Sequence, residues 1–598
     1  MRANNHTCAS VLPCVGLFLS ATLTSAALAG GTAPVWENLM STTDASVPGV
    51  KGAVWVPNQY NNPTIDDTGR VVFRGQIGGA GITTANSKLY MAGVPGSWSI
   101  LARDGSPVPG GVPAGYVFNT TAGINGLGSS NNITTAGALL VGGSINGPGV
   151  VATTDTATYL VRADGTSSLL MRESDAYPGG GGSTMSSATP SSGQKTNSLG
   201  ESIISTTLLA GDVSGTTNNA AIVVLSPLGN RAICRKGSAA PGFSDGTTIT
   251  PDTFGLMLGG SDVEFGATLV NAATVTTAND KVRVTSVGAP AGQLRVYCRE
   301  SEAFPGIAGT FYKSTSTFSN PPRALTNAGK ILMQATLSGA VTLAVDDNVL
   351  FTETSGAVEV LLRRGQLIPG VADGVYNTNN QTNAFLNNNG MLAFQGLLQN
   401  ADGTAMATNN TFIAVRKSDG TIINLARQGD AVPGLAGVTY ASLNGNSSIC
   451  LSDSGVVVFD ANCLPASRAI MAWDETNGLR VIAKSGDTNF TGTPNNALTL
   501  IGSTGSNGSN GGTGLSSNGW LVLRASDSVA SIDTIARIYL GESAAPCPAD
   551  LDGNGDVDAS DLATLLGAWG TASADIDGNG DTDASDLATL LGAWGPCA

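Results

Sequence analysis

The chain contains 598 residues, of which 12% are charged, and its formal net charge is −15. The segment from Cys547 to the C-terminus holds ten Asp and no Lys or Arg, so it carries −10 of that charge and the preceding chain carries −5. A weakly charged, mildly acidic body lacks the concentrated basic patch of a nucleic-acid-binding protein, which excludes nucleic acid as a partner.

The N-terminal residues have the pattern of a secretory signal peptide. An apolar stretch from Val11 to Leu28 ends at the small-residue site Ala27–Ala29, which predicts a signal peptide over residues 1–29. Cleavage removes His6, the single histidine of the chain, and this excludes Ser-His-Asp, Cys-His and His-bearing metal sites. Since no other apolar run is long enough to cross a bilayer, we expect a soluble protein that is secreted or associated with the cell surface.

Residues 30–541 carry two repeated sequence marks. The first, Arg-x-(Gly/Ser)-x-x-x-Pro-Gly, recurs at intervals of 63 to 69 residues, with a degenerate copy at Lys484. Its six copies are Arg103–Gly110, Arg172–Gly179, Arg235–Gly242, Arg299–Gly306, Arg363–Gly370 and Arg427–Gly434. The second mark is a polar turn ending in Gly before a β-rich run, clearest at Asn387–Phe394, Ser452–Phe459 and Asp66–Phe73. This is a hairpin signal, and residues 276–283 are interpreted as a loose copy.

The repeats predict an all-β body. Within one unit, strands are expected at Val375–Tyr376, Ala384–Leu386, Met391–Leu398, Thr411–Arg416 and Thr421–Arg427. A radial arrangement of four-stranded sheets around a central axis protects the edge strand of each sheet, which predicts an eight-bladed β-propeller. Residues 36–49 then supply the strand that completes the last blade. The marks resemble the NxxGxxAF tandem-repeat proteins, an exported family whose repeats precede C-terminal docking modules; Asn387–Phe394 matches that pattern in full.

The repeated arginines have two interpretations. They line a central channel and bind an acidic sugar or another anion, or each one hydrogen-bonds to carbonyls or a carboxylate between neighbouring blades. We favour the second interpretation, because a position kept in every repeat is more readily explained by packing. Glycoside hydrolysis needs only two carboxylates, and no sequence motif nominates such a pair, so we assign no catalytic or organic-cofactor residue.

The tail contains two near-identical twelve-residue loops, DLDGNGDVDASD and DIDGNGDTDASD, 25 residues apart. Calcium loops of this length place oxygen ligands at positions 1, 3, 5, 7, 9 and 12 around a Gly at position 6. Both loops comply, which predicts two Ca²⁺ ions. The expected ligands are Asp550, Asp552, Asn554, the carbonyl of Asp556, Asp558 and Asp561, then Asp575, Asp577, Asn579, the carbonyl of Asp581, Asp583 and Asp586.

Each loop runs into the segment LATLLGAWG, whose apolar residues recur at helical spacing. A tandem loop-helix pair with Asp at position 12 resembles the dockerin type I module over residues 547–598. The resemblance implies a small all-α, calcium-folded domain that docks onto a cohesin-type receptor. The contact residues it implies near loop positions 10 and 11 are Ala559 and Ser560, then Ala584 and Ser585, and either repeat could face the partner.

Six cysteines remain after signal cleavage, an even number that is consistent with an oxidising compartment. Three disulfides are considered, while unpaired thiols and metal binding are kept as alternatives. Cys547 and Cys597 bracket the tail, Cys450 and Cys463 flank a predicted hairpin, and Cys234 and Cys298 occupy similar places in successive repeats.

Together these features predict a secreted binding or scaffold protein that docks through its tail to a cohesin-type or cell-surface partner, with polysaccharide as a ligand class for the body. The alternative is a dockerin-tethered glycoside hydrolase acting in polysaccharide catabolism. A purely structural role in the cell envelope is a third hypothesis.

Overall fold

The computed structural model describes most of the chain from Trp36 onward. The described residues are 36–44, 46–57, 61–108, 114–118, 138–162, 166–186, 197, 199–252, 256–271, 273–313, 324–371, 373–377, 384–404, 406, 408–443, 449–465, 467–492, 494–495, 497–500, 514–540, 549, 551, 556–571, 573–576 and 581–596. The predicted signal peptide lies outside them.

Most strands belong to eight antiparallel sheets of four or five strands, hereafter blades one to eight. Blade one contains β2 (Ala53–Trp55), β3 (Asn61–Ile65), β4 (Val71–Gly79), β5 (Lys88–Val94) and β6 (Ser97–Arg103), and blade two contains β7 (Val117–Phe118), β8 (Leu139–Asn146), β9 (Thr156–Val161) and β10 (Ser167–Arg172). Blade three contains β11 (Thr184–Met185), β12 (Ser202–Leu209), β13 (Ala220–Leu225) and β14 (Arg231–Arg235). Blade four contains β15 (Thr248–Pro251), β16 (Met257–Gly259), β17 (Asp262–Val270), β18 (Lys281–Thr285) and β19 (Arg295–Arg299).

Blade five contains β20 (Thr310–Tyr312), β21 (Ala324–Leu325), β22 (Ile331–Gly339), β23 (Asn348–Thr354) and β24 (Ala357–Arg363), and blade six contains β25 (Val375–Asn377), β26 (Ala384–Leu386), β27 (Leu392–Gln399), β28 (Thr411–Arg416) and β29 (Ile422–Arg427). Blade seven contains β30 (Thr439–Ser442), β31 (Ile449–Leu451), β32 (Val457–Leu464), β33 (Ser467–Trp473) and β34 (Arg480–Lys484). Blade eight contains β35 (Ala497–Leu500), β36 (Trp520–Asp527), β37 (Ile532–Tyr539) and β1 (Glu37–Ser41). The strands predicted for one unit match blade six to within one residue.

Within the described ranges, five blades have a first strand that is broken into two pieces, and both pieces pair with the same second strand. In blade six, for example, β25 pairs with the end of β27 and β26 pairs with its beginning. We therefore count each blade as four strand positions, first to fourth in chain order, except that β1 takes the fourth position in blade eight.

The blades close into a ring, so the protein is an eight-bladed β-propeller as predicted. Each of eight hydrophobic clusters lies between one blade and the next, including one between blades eight and one. The closing cluster combines Leu39, Val522 and Phe73. The N-terminal strand β1 pairs with β37, with Glu37 opposite Arg537, which confirms that it completes the last blade.

The second sequence mark forms the turn between the first and second strand positions. A polar side chain opens the turn and accepts the backbone N–H four residues later: Asn387 accepts from Met391 at 2.8 Å, and Ser452 accepts from Val456 at 2.9 Å. Gly390 closes the turn with φ of +80°, a conformation that favours glycine. The recurrent Asn, Asp, Ser or Thr is thus explained by its oxygen acceptor.

These turns also bond from blade to blade. The N–H of Asn327 donates to Oδ1 of Asn388, and the N–H of Asn388 donates to Oδ1 of Asp453. In the same way the N–H of Ser517 in blade eight donates to Oδ1 of Asp67 in blade one. Radially arranged sheets approach one another most closely at their inner edges, so the first-strand edge faces the ring axis and the fourth strand lies outside.

Residues 276–283, interpreted as a copy of this turn, are not one. They cover the connection from β17 to β18, the second and third strands of blade four, and the first three residues of β18, whereas the true turn there is the short step from Gly259 to Asp262. This turn lacks an opening polar side chain, and Gly260 instead donates its N–H to Oδ1 of Asn327.

The described residues of the tail form two helices, α1 (Ala559–Gly567) and α2 (Ala584–Gly592), and a two-stranded sheet of β38 (Asp556–Val557) and β39 (Gly595–Pro596). Its core is small: Ala549, Val557, Leu565 and Leu590 are buried, and a few further apolar side chains are half-buried around them. Within the described ranges, no helix has the length and apolar character that crossing a bilayer requires.

Candidate functional site

The acidic loops place one fully buried carboxylate at the start of each helix. Asp561, at loop position 12, accepts the N–H of Leu551 at 2.7 Å and that of Asp558 at 2.8 Å. Asp586 accepts the N–H of Ile576 and that of Asp583 at the same two distances. The two repeats thus use one geometry, in which the carboxylate ties the beginning of its loop to the end.

Position 9 of each loop caps the following helix. Asp558 and Asp583 accept the N–H of Ser560 and Ser585 at 2.7 and 2.8 Å. The hydroxyl of Ser585 also donates to Asp583 at 2.6 Å, and these bonds hold the pKa of Asp583 below its usual range. A carboxylate at a helix N-terminus is further favoured by the helix dipole.

The described part of each loop contains one buried carboxylate of the kind that binds a divalent cation. Asp561 and Asp586 are wholly buried in a segment that contains no Lys or Arg, and an ionised buried carboxylate requires a compensating charge. Carboxylate oxygens are the ligands that calcium prefers. Asp550, Asp552, Asn554, Asp577 and Asn579 lie outside the described residues, and no group of three acidic, His or Cys side chains able to hold an ion lies within them.

The residues expected to contact a partner lie in the first turn of each helix. Ala559, Ser560, Ala584 and Ser585 are exposed. The predicted apolar stripe differs from expectation: Leu565 and Leu590 are buried, but Leu566 and Leu591 are each 52% exposed. Trp569 and Trp594 follow the helices, because α1 and α2 end at Gly567 and Gly592.

The predicted disulfides within the body do not form. Cys463 faces the cluster between blades six and seven, whereas Cys450 faces the cluster between blades seven and eight. Cys234 and Cys298 are likewise separated by the thickness of blade four. Both pairs are wrong for the same reason, since each partner lies on an opposite side of a sheet. Cys547 and Cys597 lie outside the described residues.

The repeated arginines lie at the end of the fourth strand, away from the axis. In every copy the Nε–H donates to the carbonyl two residues before the third strand of the same blade, at 2.8 to 3.2 Å. Arg235, Arg363 and Arg427 also pair with the carboxylates of Asp212, Asp346 and Asp373. The channel hypothesis is therefore wrong. The packing hypothesis has the correct chemistry, but the repeated bond joins two parts of one blade.

Blades three and four enclose a cleft of about 520 Å³. Its lining includes Glu201 and Arg231 from blade three and Asp262, Ser286 and Leu294 from blade four. Sequence reasoning did not identify these residues. The available signal was the unusually long segment between the third and fourth strands of the fourth repeat.

Residues 65–518 match the family described as "Family of unknown function (DUF7453)". The chain belongs to this family. The DUF7453 region includes the cleft and most of the propeller, while the acidic loops lie beyond it. No curated protein matches the chain.

Solved structures with a similar arrangement are distant in sequence. The β-propeller domain of the Trilobed protease from Pyrococcus furiosus has 7% identity and a TM-score of 0.33, over 72% of this chain and 98% of that one. Pyrococcus horikoshii acylaminoacyl peptidase has 9% identity and a TM-score of 0.33, over 71% of this chain and 52% of that one. The polysaccharide lyase Uly1 has 8% identity and a TM-score of 0.29, over 74% and 93% of the two chains.

Proposed function

We propose that this protein is an exported binding or scaffold protein. Its DUF7453 propeller presents a ligand-binding surface, for which polysaccharide is the ligand class. Its calcium-loaded tail docks to a cohesin-type or cell-surface receptor. The signal peptide pattern of residues 1–29 supports export.

The observation that carries the proposal is the duplication of one acidic loop. Both copies end in a wholly buried carboxylate, Asp561 or Asp586, held by two backbone N–H groups. Bound calcium supplies the positive charge that this segment lacks. These side chains hold the ends of the loop together and fix the first turn of the helix that would meet the receptor.

Calcium binding is tested by isothermal titration of the full chain. We expect two ions per chain, and one ion each for Asp561→Asn and Asp586→Asn, because a neutral amide is a poorer calcium ligand than a carboxylate. Asp402→Asn is the matched control: Asp402 is an exposed residue that bonds to Thr404 in blade six, and its substitution should leave two ions. A wild-type chain that binds no calcium contradicts the proposal.

Docking is tested with immobilised cohesin-type modules in calcium and in EGTA. The double variant Ser560→Arg, Ser585→Arg should abolish docking while two ions still bind, because both side chains are exposed and occupy loop position 11, which supplies no ligand. Either single variant should still dock through the other repeat. Failure of the wild-type chain to bind any cohesin-type module or isolated cell surface in calcium would refute the docking role.

A further inference from the structure

Blade four departs from the repeat at two places on the same end of the sheet. Its third and fourth strands, β18 and β19, are joined by nine residues, 286–294, whereas the corresponding connections in blades one to three and five to seven have two to six. Its first turn is also the short step at Gly260 and Ser261. The packing that all units share does not account for a departure found in blade four.

The long connection forms one wall of the cleft. Residues 289–294 face Ala232, Ile233 and Arg231 on the outer strand of blade three. The volume of about 520 Å³ lies within the range of about 300 to 1,000 Å³ that is typical of small-molecule sites. The cleft therefore has the size for a ligand of a few sugar rings.

The polar groups of the cleft are held in place before any ligand binds. Arg231 donates to the carbonyl of Ser261 at 3.2 Å and lies 3.6 Å from the carboxylate of Glu201. Asn197 donates to Glu201 at 2.9 Å, and Ser286 donates to Asp262 at 2.8 Å. Fixed donors and acceptors of this kind lower the entropic penalty of binding.

The apolar lining completes an amphipathic surface. Ile233, Leu294 and Pro290 lie in the same cleft as Arg231 and the two carboxylates. A sugar ring has hydroxyl groups at its edge and C–H groups on its face, so it can satisfy both kinds of surface together. A purely apolar ligand would remove water from the exposed parts of Arg231 and Glu201 without replacing its hydrogen bonds, which is unfavourable.

The charges select among sugars. Among the described lining residues, the two carboxylates Glu201 and Asp262 outnumber the one cation, Arg231, so a polyanionic sugar would be repelled. We propose that the cleft between blades three and four binds a neutral oligosaccharide. This inference rests on the binding role proposed for the body and is independent of calcium and docking.

The test is calorimetric titration of the full chain with neutral hexaoses of glucose, mannose and xylose, and with hexagalacturonate as the acidic probe. At least one neutral hexaose should bind, and hexagalacturonate should bind at least about tenfold more weakly, as expected when like charges are brought together in a partly buried site. Arg231→Ala should weaken the neutral complex about tenfold, because it removes a charged hydrogen-bond donor.

A bulky substitution locates the site without disturbing the core. Ala291 is exposed and lines the cleft, so Ala291→Trp should fill it and abolish binding. Ala401→Trp, at an exposed loop residue of blade six, is the matched control and should bind as the wild type does. EGTA should leave the affinity unchanged, because the tail takes no part.

Each other outcome overturns the inference. If none of the neutral hexaoses binds, neutral oligosaccharides are excluded as the ligand. If hexagalacturonate binds equally or more tightly, the charge argument is contradicted. Wild-type affinity in Ala291→Trp places the ligand elsewhere. Loss of binding in EGTA would place it on the tail. The number of calcium ions bound per chain is measured separately, so failure of the oligosaccharide inference is distinguished from failure of the docking proposal.

Discussion

Among the residues that the structure describes, each blade interface of the propeller encloses between 11 and 17 buried hydrophobic residues, whereas the core of the tail contains four. The tail combines this small core with ten Asp and no Lys or Arg. Burial of apolar surface is the main favourable term in folding, and it recurs eight times around the ring. The tail cannot draw on that term to the same extent, so its stability should depend on bound cations.

Calcium removal should separate the two regions most strongly. In EGTA, hydrogen exchange of the full chain should accelerate in peptides from α1 and α2 towards the unfolded rate, because the buried carboxylates of Asp561 and Asp586 would lose their compensating charge. Peptides from β27 and β28 in blade six should exchange as before. Equal protection of the tail with and without calcium would contradict the claim that the tail, unlike the propeller, depends on bound cations.

Within the propeller, the largest single effect should come from the turn that links neighbouring blades. Asn387 is buried, accepts the N–H of Met391, and donates to the carbonyl of Ser452 at 2.9 Å. Asn387→Ala should lower the free energy of unfolding of the body by about 1 to 3 kcal/mol, because buried polar groups lose their partners. Urea denaturation followed by near-UV circular dichroism measures this change.

The matched control for this turn is Asn389→Ala. Asn389 is an exposed residue that also donates to blade seven, at the carbonyl of Asp453. Loss of this hydrogen bond should lower the free energy of unfolding by less than Asn387→Ala does, because water replaces the bond at an exposed site. If the two variants unfold at the same urea concentration, burial of the turn contributes nothing. Calcium stoichiometry should stay at two in both.

The smallest effect should be a change in pH dependence at Asp66. Burial raises the pKa of this carboxyl group, although bonds from Thr68 and Arg70 oppose the rise. A carboxyl whose pKa is higher in the folded state destabilises the protein when it is ionised, and this penalty disappears as the pH falls through that pKa. Asp66→Asn should therefore give a small increase in Tm at pH 7 and a smaller increase at pH 4.

Asp402→Asn should behave in the opposite sense. Bonds from Thr404 lower the pKa of Asp402, so its ionised form stabilises the folded state above the unfolded pKa and this contribution is lost as the pH falls. The substitution should reduce Tm slightly at pH 7 and less at pH 4. Thermal melts of both variants at the two pH values check the signs, and the same sign in both would contradict the role of burial.

The repeated sequence marks predicted strands and turns correctly wherever the local sequence determines the backbone conformation. Strands of blade six were located because apolar alternation is bounded by Gly390 and by polar loops. Residues 276–283 were wrongly interpreted as a copy of the turn, because a loop rich in Thr, Asn and Asp has the same composition as the turn. The true turn at Gly260 and Ser261 has no such signature.

The number of blades, the closing N-terminal strand and the spacing of the acidic loops were predictable from residues repeated at a fixed interval. Tertiary packing set which edge of each blade faces the axis, and therefore that the arginines bind a loop of their own blade and do not line a channel. It also decided that Cys450 and Cys463 lie on opposite sides of a sheet. The cleft unites Glu201 and Arg231 with Asp262, and contacts between separate blades follow from packing, which leaves no periodic mark in a sequence.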